Sequence, residues 1–313
     1  MAEELTPWDP RALGRYRLLA RLGSGGMGVV YLARTPGGRS VAVKSIRPDL
    51  VAHPEFRKRF RTEVSAAGHV NGLYTAMVVD ADPDGSVPWL ATAYVEGPSL
   101  AAAVDACGPL PVRSVLLLAA ALAEGLEAIH AAGIAHRDLK PSNVLLAADG
   151  PRVIDFGISW ALDDAGLNQA GYAFGTPAFM SPEQAAGTTV GPQSDMFSLG
   201  LVLAFAATGE TPCGPRPDLS RVPDEVRPVI AACLATDPDQ RPTPAQLLAQ
   251  LETRDLDLDW HSVATLLRAS PAARPAGAYA ASVDRDTEFA TIPDAGGPCP
   301  PPRARPPRRS CPP

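Results

Sequence analysis

The chain has 313 residues, 46% of them hydrophobic, and a formal net charge of -6 at pH 7. This hydrophobic content is enough to bury the core of one large domain or of two smaller ones. The acidic balance argues against a broadly basic surface, so we expect no nucleic-acid partner.

Residues 1–15 are predicted to form an N-terminal extension. They begin with acidic residues and contain no basic segment followed by an apolar run, so no secretory signal is expected and the protein is predicted to be cytoplasmic. The five cysteines of the chain show no C-x-x-C spacing. They are predicted to be isolated thiols rather than a metal site or a disulfide framework.

From Tyr16 onwards the pattern favours strands. Three apolar runs, at residues 15–23, 29–34 and 40–46, are separated by glycine-rich turns. An amphipathic helix follows, and further extended segments end near residue 97. In that helix Glu63 is predicted to point inward with two phenylalanines, because it lies seven residues after Phe56 and three after Phe60.

Helical periodicity dominates after these extended segments. One helix is predicted to end near Gly133, a natural left-handed cap. Its apolar stripe is formed by Val115, Leu118, Leu122, Leu126 and Ile129. Residues 196–209 form the longest uncharged apolar stretch, but a bilayer span needs about 20 such residues, so we predict a buried core helix and no transmembrane anchor. The architecture is therefore a small β-rich lobe followed by a larger helical lobe.

A glycine-rich motif joins the first two strands. Gly23, Gly25, Gly28 and Val30 match the spacing G-x-G-x-x-G-x-V. Glycines allow backbone N–H groups to approach phosphate oxygens closely. A hairpin without a ligand has the same composition, so the motif alone does not decide. A strand follows rather than a helix, which argues against a dinucleotide fold.

Lys44 ends the next apolar strand, "VAVK". A charge in that position needs an acidic partner or an anionic ligand. Glu63, on the inward face of the following helix, is the obvious partner. The alternative is an exposed lysine at the end of a strand.

Two polar loops carry the residues suited to chemistry. The first, "HRDLKPSN", contains Asp138, Lys140 and Asn143, and the second, "VIDFGIS", contains Asp155. Oxygen ligands suit Mg²⁺, and a lysine offsets charge on a moving phosphoryl group, so the set fits Mg²⁺-assisted phosphoryl transfer. The alternative is a solvated turn, but a turn does not require two carboxylates, an amide and a lysine to occur together.

In this order the motifs resemble a protein kinase, specifically the bacterial eukaryotic-like serine/threonine kinases, over residues 16–251. The resemblance implies an α+β, bilobal protein kinase fold. Its small β-rich N-lobe with one helix would span residues 16–92, and its larger, mainly helical C-lobe residues 96–251. Residues 252–313 are expected to form a disordered tail rich in Pro, Ala and Arg.

The resemblance also implies ATP and Mg²⁺ as cofactors and a role for each site residue. Lys44 would hold the α and β phosphates and pair with Glu63. Asp138 would orient the substrate hydroxyl and accept its proton, and Lys140 would steady the γ-phosphate. Asn143 and Asp155 would bind Mg²⁺. The nucleotide site would be completed by Gly23, Gly25, Gly28, Val30, Ala42, the gatekeeper Thr92 and the hinge Ala93, Tyr94 and Val95.

Further matches concern the C-lobe. In "GTPAFMSPE", Glu183 would form a buried ion pair with Arg241, and Ser181 stands where the family often has alanine. Asp195 would tie the backbone of the catalytic loop to the buried helix. Lys140 favours serine or threonine over tyrosine as the acceptor in protein substrates.

The sequence departs from the family pattern in two places. No serine or threonine lies between Ser159 and Thr176, although Arg137 beside the catalytic aspartate usually implies a loop phosphate. Our hypothesis is that Asp163 or Asp164 supplies the negative charge, or that the loop is switched by other means. Residues 209–217 contain three prolines and leave no room for the usual docking helix before a helix over residues 218–230.

Two other functions are compatible with parts of the sequence. A nucleotide-binding pseudokinase scaffold would fit the loop without phosphorylation sites and the missing docking helix. A small-molecule phosphotransferase would share the catalytic aspartate but would not need "GTPAFMSPE". In the tail, Thr291 precedes Asp294 by three residues, a spacing that resembles targets of FHA modules, which bind phosphothreonine.

Overall fold

The computed structural model describes residues 2–156, 177–212, 217–252 and 260. Its six N-terminal strands are β1 (Ala12–Leu13), β2 (Tyr16–Gly25), β3 (Gly28–Arg34), β4 (Ser40–Ile46), β5 (Val78–Asp82) and β6 (Trp89–Ala93). Two short helices, α1 (Pro48–Val51) and α2 (Pro54–Ala67), lie between β4 and β5. The second lobe contains α3 (Leu100–Cys107), α4 (Val112–Ala131), β7 (Val144–Ala147), β8 (Gly150–Val153), α5 (Pro182–Ala185), α6 (Pro192–Thr208), α7 (Arg227–Cys233) and α8 (Pro244–Glu252). The predicted bilobal α+β fold is confirmed.

The N-terminal strands form one antiparallel sheet in the order β1-β2-β3-β4-β6-β5. Successive residues of a strand face opposite sides. Tyr31 and Ala33 of β3 accordingly pack into one apolar cluster, while Val30 and Leu32 join another on the opposite face. The second face is the one that meets the helical lobe, since its cluster includes Leu145 of β7.

Helix α2 packs its apolar side against the sheet. It begins at Pro54, whose fixed φ suits the first helical position. Phe56 and Phe60 are fully buried with stacked rings 6.1 Å apart, and Glu63 is buried beside them. The predicted inward face of this helix is therefore confirmed.

The core of the helical lobe forms around α4 and α6. All five residues of the predicted α4 stripe are buried, and Gly133 after the helix adopts φ +78°, a left-handed conformation that glycine adopts without strain. Helix α6 is buried along most of its length, as predicted for residues 196–209. No helix in the described ranges combines the length and apolarity needed to cross a membrane.

The segment between α6 and α7 contains no helix at residues 209–212 and 217–226, the part of it that the structure describes. The docking helix is thus absent from these residues, as predicted. The prediction of a helix over residues 218–230 was wrong in its start, because α7 begins only at Arg227. Turn hydrogen bonds from Val222 to Leu219 and from Val226 to Pro223 occupy the preceding residues, and Pro223 has no N–H with which to continue a helix.

Trp260 contacts the helical lobe beyond residue 251, where the predicted domain ends. Its Nε1 donates a hydrogen bond to Ala147 O at 2.8 Å, and its ring packs against the apolar core. We expect Trp260→Phe to lower the free energy of unfolding by at least about 1 kcal/mol, because the hydrogen-bond donor is lost and a smaller aromatic ring replaces the indole. Urea denaturation of the whole chain would measure this.

Trp8→Phe is the matched control for this prediction, since Trp8 is 93% exposed. Surface substitutions of this kind change stability by less than about 0.5 kcal/mol. Equal stability of the two variants would contradict a role for Trp260 in the fold.

Candidate active site

The glycine-rich motif forms a tight hairpin between β2 and β3. Gly23 pairs with Val30 and Gly25 with Gly28, so only residues 26 and 27 form the turn. A Cβ atom on Gly28 would lie 1.8 Å from Ser45 O of the adjacent strand, closer than any side chain tolerates. The sheet can therefore close here only around a glycine.

An apolar cluster of buried side chains lies between the two lobes next to this hairpin. Three residues of the predicted nucleotide site, Val30, Ala42 and Val95, belong to it. Its other buried members, which the motifs did not indicate, are Leu22, Ala76, Leu145, Ala147 and Ile154. The side chains come from both lobes, as expected of a site for a flat apolar ring such as adenine.

The residues predicted as gatekeeper and hinge lie at the end of β6 and directly after it, beside this cluster. Thr92 lies opposite Ala42 in the sheet, and Ala93 N–H donates to Met77 O at 2.9 Å. Tyr94 is half-buried, which raises the pKa of its phenol. After the predicted hinge, a Cβ atom on Gly97 would lie 2.2 Å from Leu146 O, so glycine permits the chain to pass close to β7 here.

In the loop "HRDLKPSN", the predicted catalytic Lys140 and the predicted metal ligand Asn143 both contact the carboxylate of Asp138. Lys140 Nζ lies 3.2 Å from Asp138 Oδ2, and Asn143 Nδ2 donates to the same oxygen at 3.1 Å and to Asp138 O at 2.7 Å. Lys140 and Asn143 are buried, and the Asp138 side chain is 21% exposed. Both donors bind Oδ2, so within the described residues Oδ1 remains available to accept a proton.

The predicted metal ligands fit a hard cation. Asn143 Oδ1 is buried and accepts no hydrogen bond within the described residues. Its backbone carbonyl accepts a bond from Ile154 N–H at 3.0 Å, which brings Asp155 next to the catalytic loop. Asp155 adopts φ +59°, a strained conformation for a residue other than glycine and one often found at functional sites. An amide oxygen and a carboxylate are ligands that Mg²⁺ accepts.

Lys44 does not form the predicted ion pair with Glu63. Its Nζ lies 3.3 Å from Asp155 Oδ2, and no ion pair of Glu63 occurs among the described residues. Burial raises the pKa of Glu63 to about 7, with a partly opposing effect of Arg137. The high pKa is a consequence of this arrangement, because within the described residues no lysine ion pair offsets the burial of Glu63.

The raised pKa of Glu63 predicts a pH-dependent stability. The carboxyl group of Glu63 has a pKa of 4.5 in the unfolded chain and about 7 in the folded chain. Between these two pH values the folded state therefore binds more protons than the unfolded state. The free energy of unfolding should therefore fall by about 3 kcal/mol as the pH rises through this range. We expect Glu63→Gln to abolish this component, as measured by urea denaturation at pH 5 and pH 8.

Glu55→Gln is the control for this measurement, because Glu55 is exposed on the same helix. It should keep the pH dependence of the original chain. An unchanged pH dependence in the Glu63 variant would show that other groups cause it.

Asp195 holds the backbone of the catalytic loop, as the resemblance implies. Its fully buried carboxylate accepts bonds from His136 N–H at 2.8 Å and from Arg137 N–H at 2.7 Å. His130 Nε2 is 2.8 Å from the same carboxylate, a contact that sequence spacing did not indicate. Arg137 adopts φ +64°, and the two N–H bonds help to hold this strained backbone.

A second set of contacts ties the segment "MSPEQ" to the rest of the C-lobe. The predicted ion pair is confirmed, since Arg241 Nη1 and Nη2 lie 2.6 and 2.9 Å from the two oxygens of Glu183. Ser181 caps α5 by a reciprocal bond with Gln184, whose Nε2 also donates to Arg137 O at 2.7 Å. The S-x-x-Q spacing is a capping-box pattern and would have predicted this cap from the sequence.

Some sequence predictions lie outside the described residues. They include the loop hypothesis for Asp163 and Asp164, the sites Ser159 and Thr176, and the tail motif of Thr291 and Asp294. These stay predictions.

Comparisons with known proteins agree with this geometry. The family model of the protein kinase domain matches residues 16–251. A probable serine/threonine-protein kinase, PkwA of Thermomonospora curvata, is 54% identical over 83% of this chain. The serine/threonine-protein kinase AfsK of Streptomyces coelicolor is 52% identical over 80% of it. The chain covers 37% and 33% of these two relatives, about a third of their length.

A solved structure supports the same assignment. The crystal structure of the Mycobacterium tuberculosis PknI kinase domain superposes with a TM-score of 0.64 at 28% identity. The match covers 78% of this chain and 97% of that domain. The chain therefore belongs to the protein kinase family, and within it to the bacterial eukaryotic-like serine/threonine kinases.

Proposed function

We propose that the chain is a protein kinase that transfers the γ-phosphate of Mg·ATP to serine or threonine hydroxyls of proteins, including its own. The observation that carries this proposal is the grouping of Lys140 and Asn143 around the carboxylate of Asp138. A scaffold that only binds nucleotide has no need for a partly exposed carboxylate, that of Asp138, beside the buried Lys140.

Each residue has a distinct part in the proposed reaction. The oxygen of the acceptor hydroxyl bonds to the γ-phosphorus, the bond to the β-phosphate oxygen breaks, and ADP leaves. Asp138 orients the hydroxyl and takes its proton, while Lys140 lies close enough to offset charge on the transferred group. Lys44 would contact the α and β phosphates from the opposite side.

The metal would be held by Asn143 Oδ1 and Asp155. No three His, Cys, Asp or Glu side chains cluster in the described ranges. Two protein ligands supplemented by phosphate oxygens and water are typical for Mg²⁺. When bound, the ion would supply positive charge that offsets the charge of the phosphates.

A pseudokinase scaffold remains the second candidate. Two observations favour it, which are the contact of Lys44 with Asp155 in place of Glu63 and the absence of the docking helix from the described residues. The two functions predict the same nucleotide binding but different chemistry.

Transfer of labelled phosphate from Mg·ATP to the purified chain and to a basic protein acceptor separates the two functions. Label in serine or threonine, absent from Lys44→Ala, supports the kinase. Binding of Mg·ATP, seen as a raised melting temperature, without any label would favour the scaffold.

A further inference from the structure

The first residues of the chain form a strap along the outer edge of β2, which we define as residues 3–9. Glu3 N–H donates to Arg21 O, and Arg21 N–H donates to Glu3 O, both at 2.8 Å. Leu5 packs against the apolar cluster on the outer face of the sheet. The strap therefore extends the sheet by a short backbone pairing beside the glycine-rich hairpin.

Asp9 forms the polar centre of the strap, and its side chain is 2% exposed. Oδ1 accepts bonds from Arg21 Nη2 and Tyr31 Oη, both at 2.7 Å, and Oδ2 accepts one from Arg21 Nε at 2.7 Å. Thr6 donates its backbone N–H and its hydroxyl to Oδ2 at 2.7 and 2.8 Å. Five donors on one buried carboxylate make a rigid contact.

Electrostatics agree with a charged, firmly held carboxylate. The hydrogen bonds from Arg21 keep the pKa of Asp9 far below its usual range, although burial alone would raise it. Burial raises the pKa of Tyr31, and its bond to Asp9 adds to this, so the phenol keeps its proton and stays a donor. The network is therefore intact throughout the physiological pH range.

The two strand residues that Asp9 joins mark the base of the glycine-rich hairpin. Arg21 lies opposite Tyr31, but Gly23 lies opposite Val30, so Leu22 is the extra residue of a β-bulge. A bulge bends its strand and changes the direction of the neighbouring side chains. Leu22 itself packs into the apolar cluster between the lobes. The link through Asp9 thus fixes the sheet one step before the hairpin begins.

We propose that Asp9 is a positioning residue for nucleotide binding. By holding Arg21 and Tyr31 together, it fixes the bulge at Leu22 and with it the placement of the glycine-rich hairpin over the phosphates. The inference rests on the proposed function, because it requires that ATP binds under this hairpin.

The test compares Asp9→Asn and Tyr31→Phe with the control Asp149→Asn. The control has the same change at an exposed carboxylate that is also paired with an arginine, Arg152. In Asp9→Asn we expect the KM for ATP to rise about tenfold, with kcat and the KM for the protein acceptor within about twofold of the original values. Tyr31→Phe should raise the KM for ATP about threefold, and Asp149→Asn should leave it unchanged.

Other outcomes separate the strap from the proposed function. An unchanged KM for ATP in Asp9→Asn, with only a lower melting temperature, would overturn the inference and leave the kinase activity standing. If the original chain transfers no phosphate, the dissociation constant of a fluorescent ATP analogue replaces KM, and the same tenfold rise is expected. A chain that binds no nucleotide at all would overturn both.

Tyr31→Phe keeps the inference testable if Asp9→Asn does not fold. It removes a single hydroxyl and leaves the ion pair of Asp9 with Arg21 in place. A value for ATP binding equal to that of the original chain would then contradict the proposed role of the network.

Discussion

Replacing Asp138 with asparagine is expected to lower kcat for phosphoryl transfer by about 10²–10⁴-fold, the contribution typical of a positioned general base. The amide is almost the same size as the carboxylate but cannot take the proton of the acceptor hydroxyl. Its bonds to Lys140 and Asn143 involve Oδ2, and an amide oxygen can still accept them. Binding of Mg·ATP should therefore change little.

The measurement is a steady-state assay of labelled phosphate transfer, with a nucleotide-induced shift of the melting temperature recorded on the same samples. Asp149→Asn, at an exposed carboxylate, is again the matched control and should keep its activity. A variant Asp138→Asn that retained more than about a tenth of the original kcat would show that another group accepts the proton.

Replacing Arg241 with alanine is expected to lower the free energy of unfolding by about 3–5 kcal/mol, because it leaves a partner charge uncompensated. The Arg241 side chain is fully buried, and that of Glu183 is 11% exposed. Arg241 also donates to the carbonyl groups of Gln193, Ala235 and Thr236 and packs over the ring of Phe197. The alanine variant loses all of these contacts together.

The double variant Glu183→Gln with Arg241→Met is the control for charge. It should be more stable than Arg241→Ala, because no unpaired charge stays buried. Urea denaturation of both variants measures the difference. A loss below about 1 kcal/mol for Arg241→Ala would be that of a surface ion pair and would contradict the structural role.

The pH dependence of the free energy of unfolding tests the ion pair of Glu183 with Arg241 in a second way. Burial alone would raise the pKa of Glu183, but the hydrogen bonds from Arg241 and Ser194 outweigh it and lower the pKa to about 2. The stabilisation is therefore complete above the unfolded value of 4.5 and is lost as the pH falls towards 2. The stability difference between the original chain and Arg241→Ala should shrink over that range.

Much of the fold followed from patterns that are local in sequence. Apolar periods of two and of three to four residues correctly predicted the strands of the sheet, the inward face of α2 and the buried stripe of α4. Such periods reflect the geometry of a single strand or helix, so a short window contains the whole signal. The predicted start of α7 was wrong, because the residues around Pro223 that were assigned to this helix form turns.

The candidate site was predictable to a different degree. Motif spacing indicated Asp138, Lys140, Asn143 and Asp155, and the structure brings these residues together around the catalytic loop. Motif spacing did not indicate that Lys44 contacts Asp155. The choice between two acidic partners depends on how distant segments pack together, which sequence spacing does not contain.

By itself the sequence determined the order of the motifs, the two-lobed arrangement and the types of side chain available for chemistry. The tertiary structure alone decided which distant groups meet: His130 with Asp195, Trp260 with Ala147, and Asp9 with the pair that flanks the bulge at Leu22. These partners are separated by 12 to 113 residues. Contacts over such separations arise from the packing of whole elements, so no local period or turn residue encodes them.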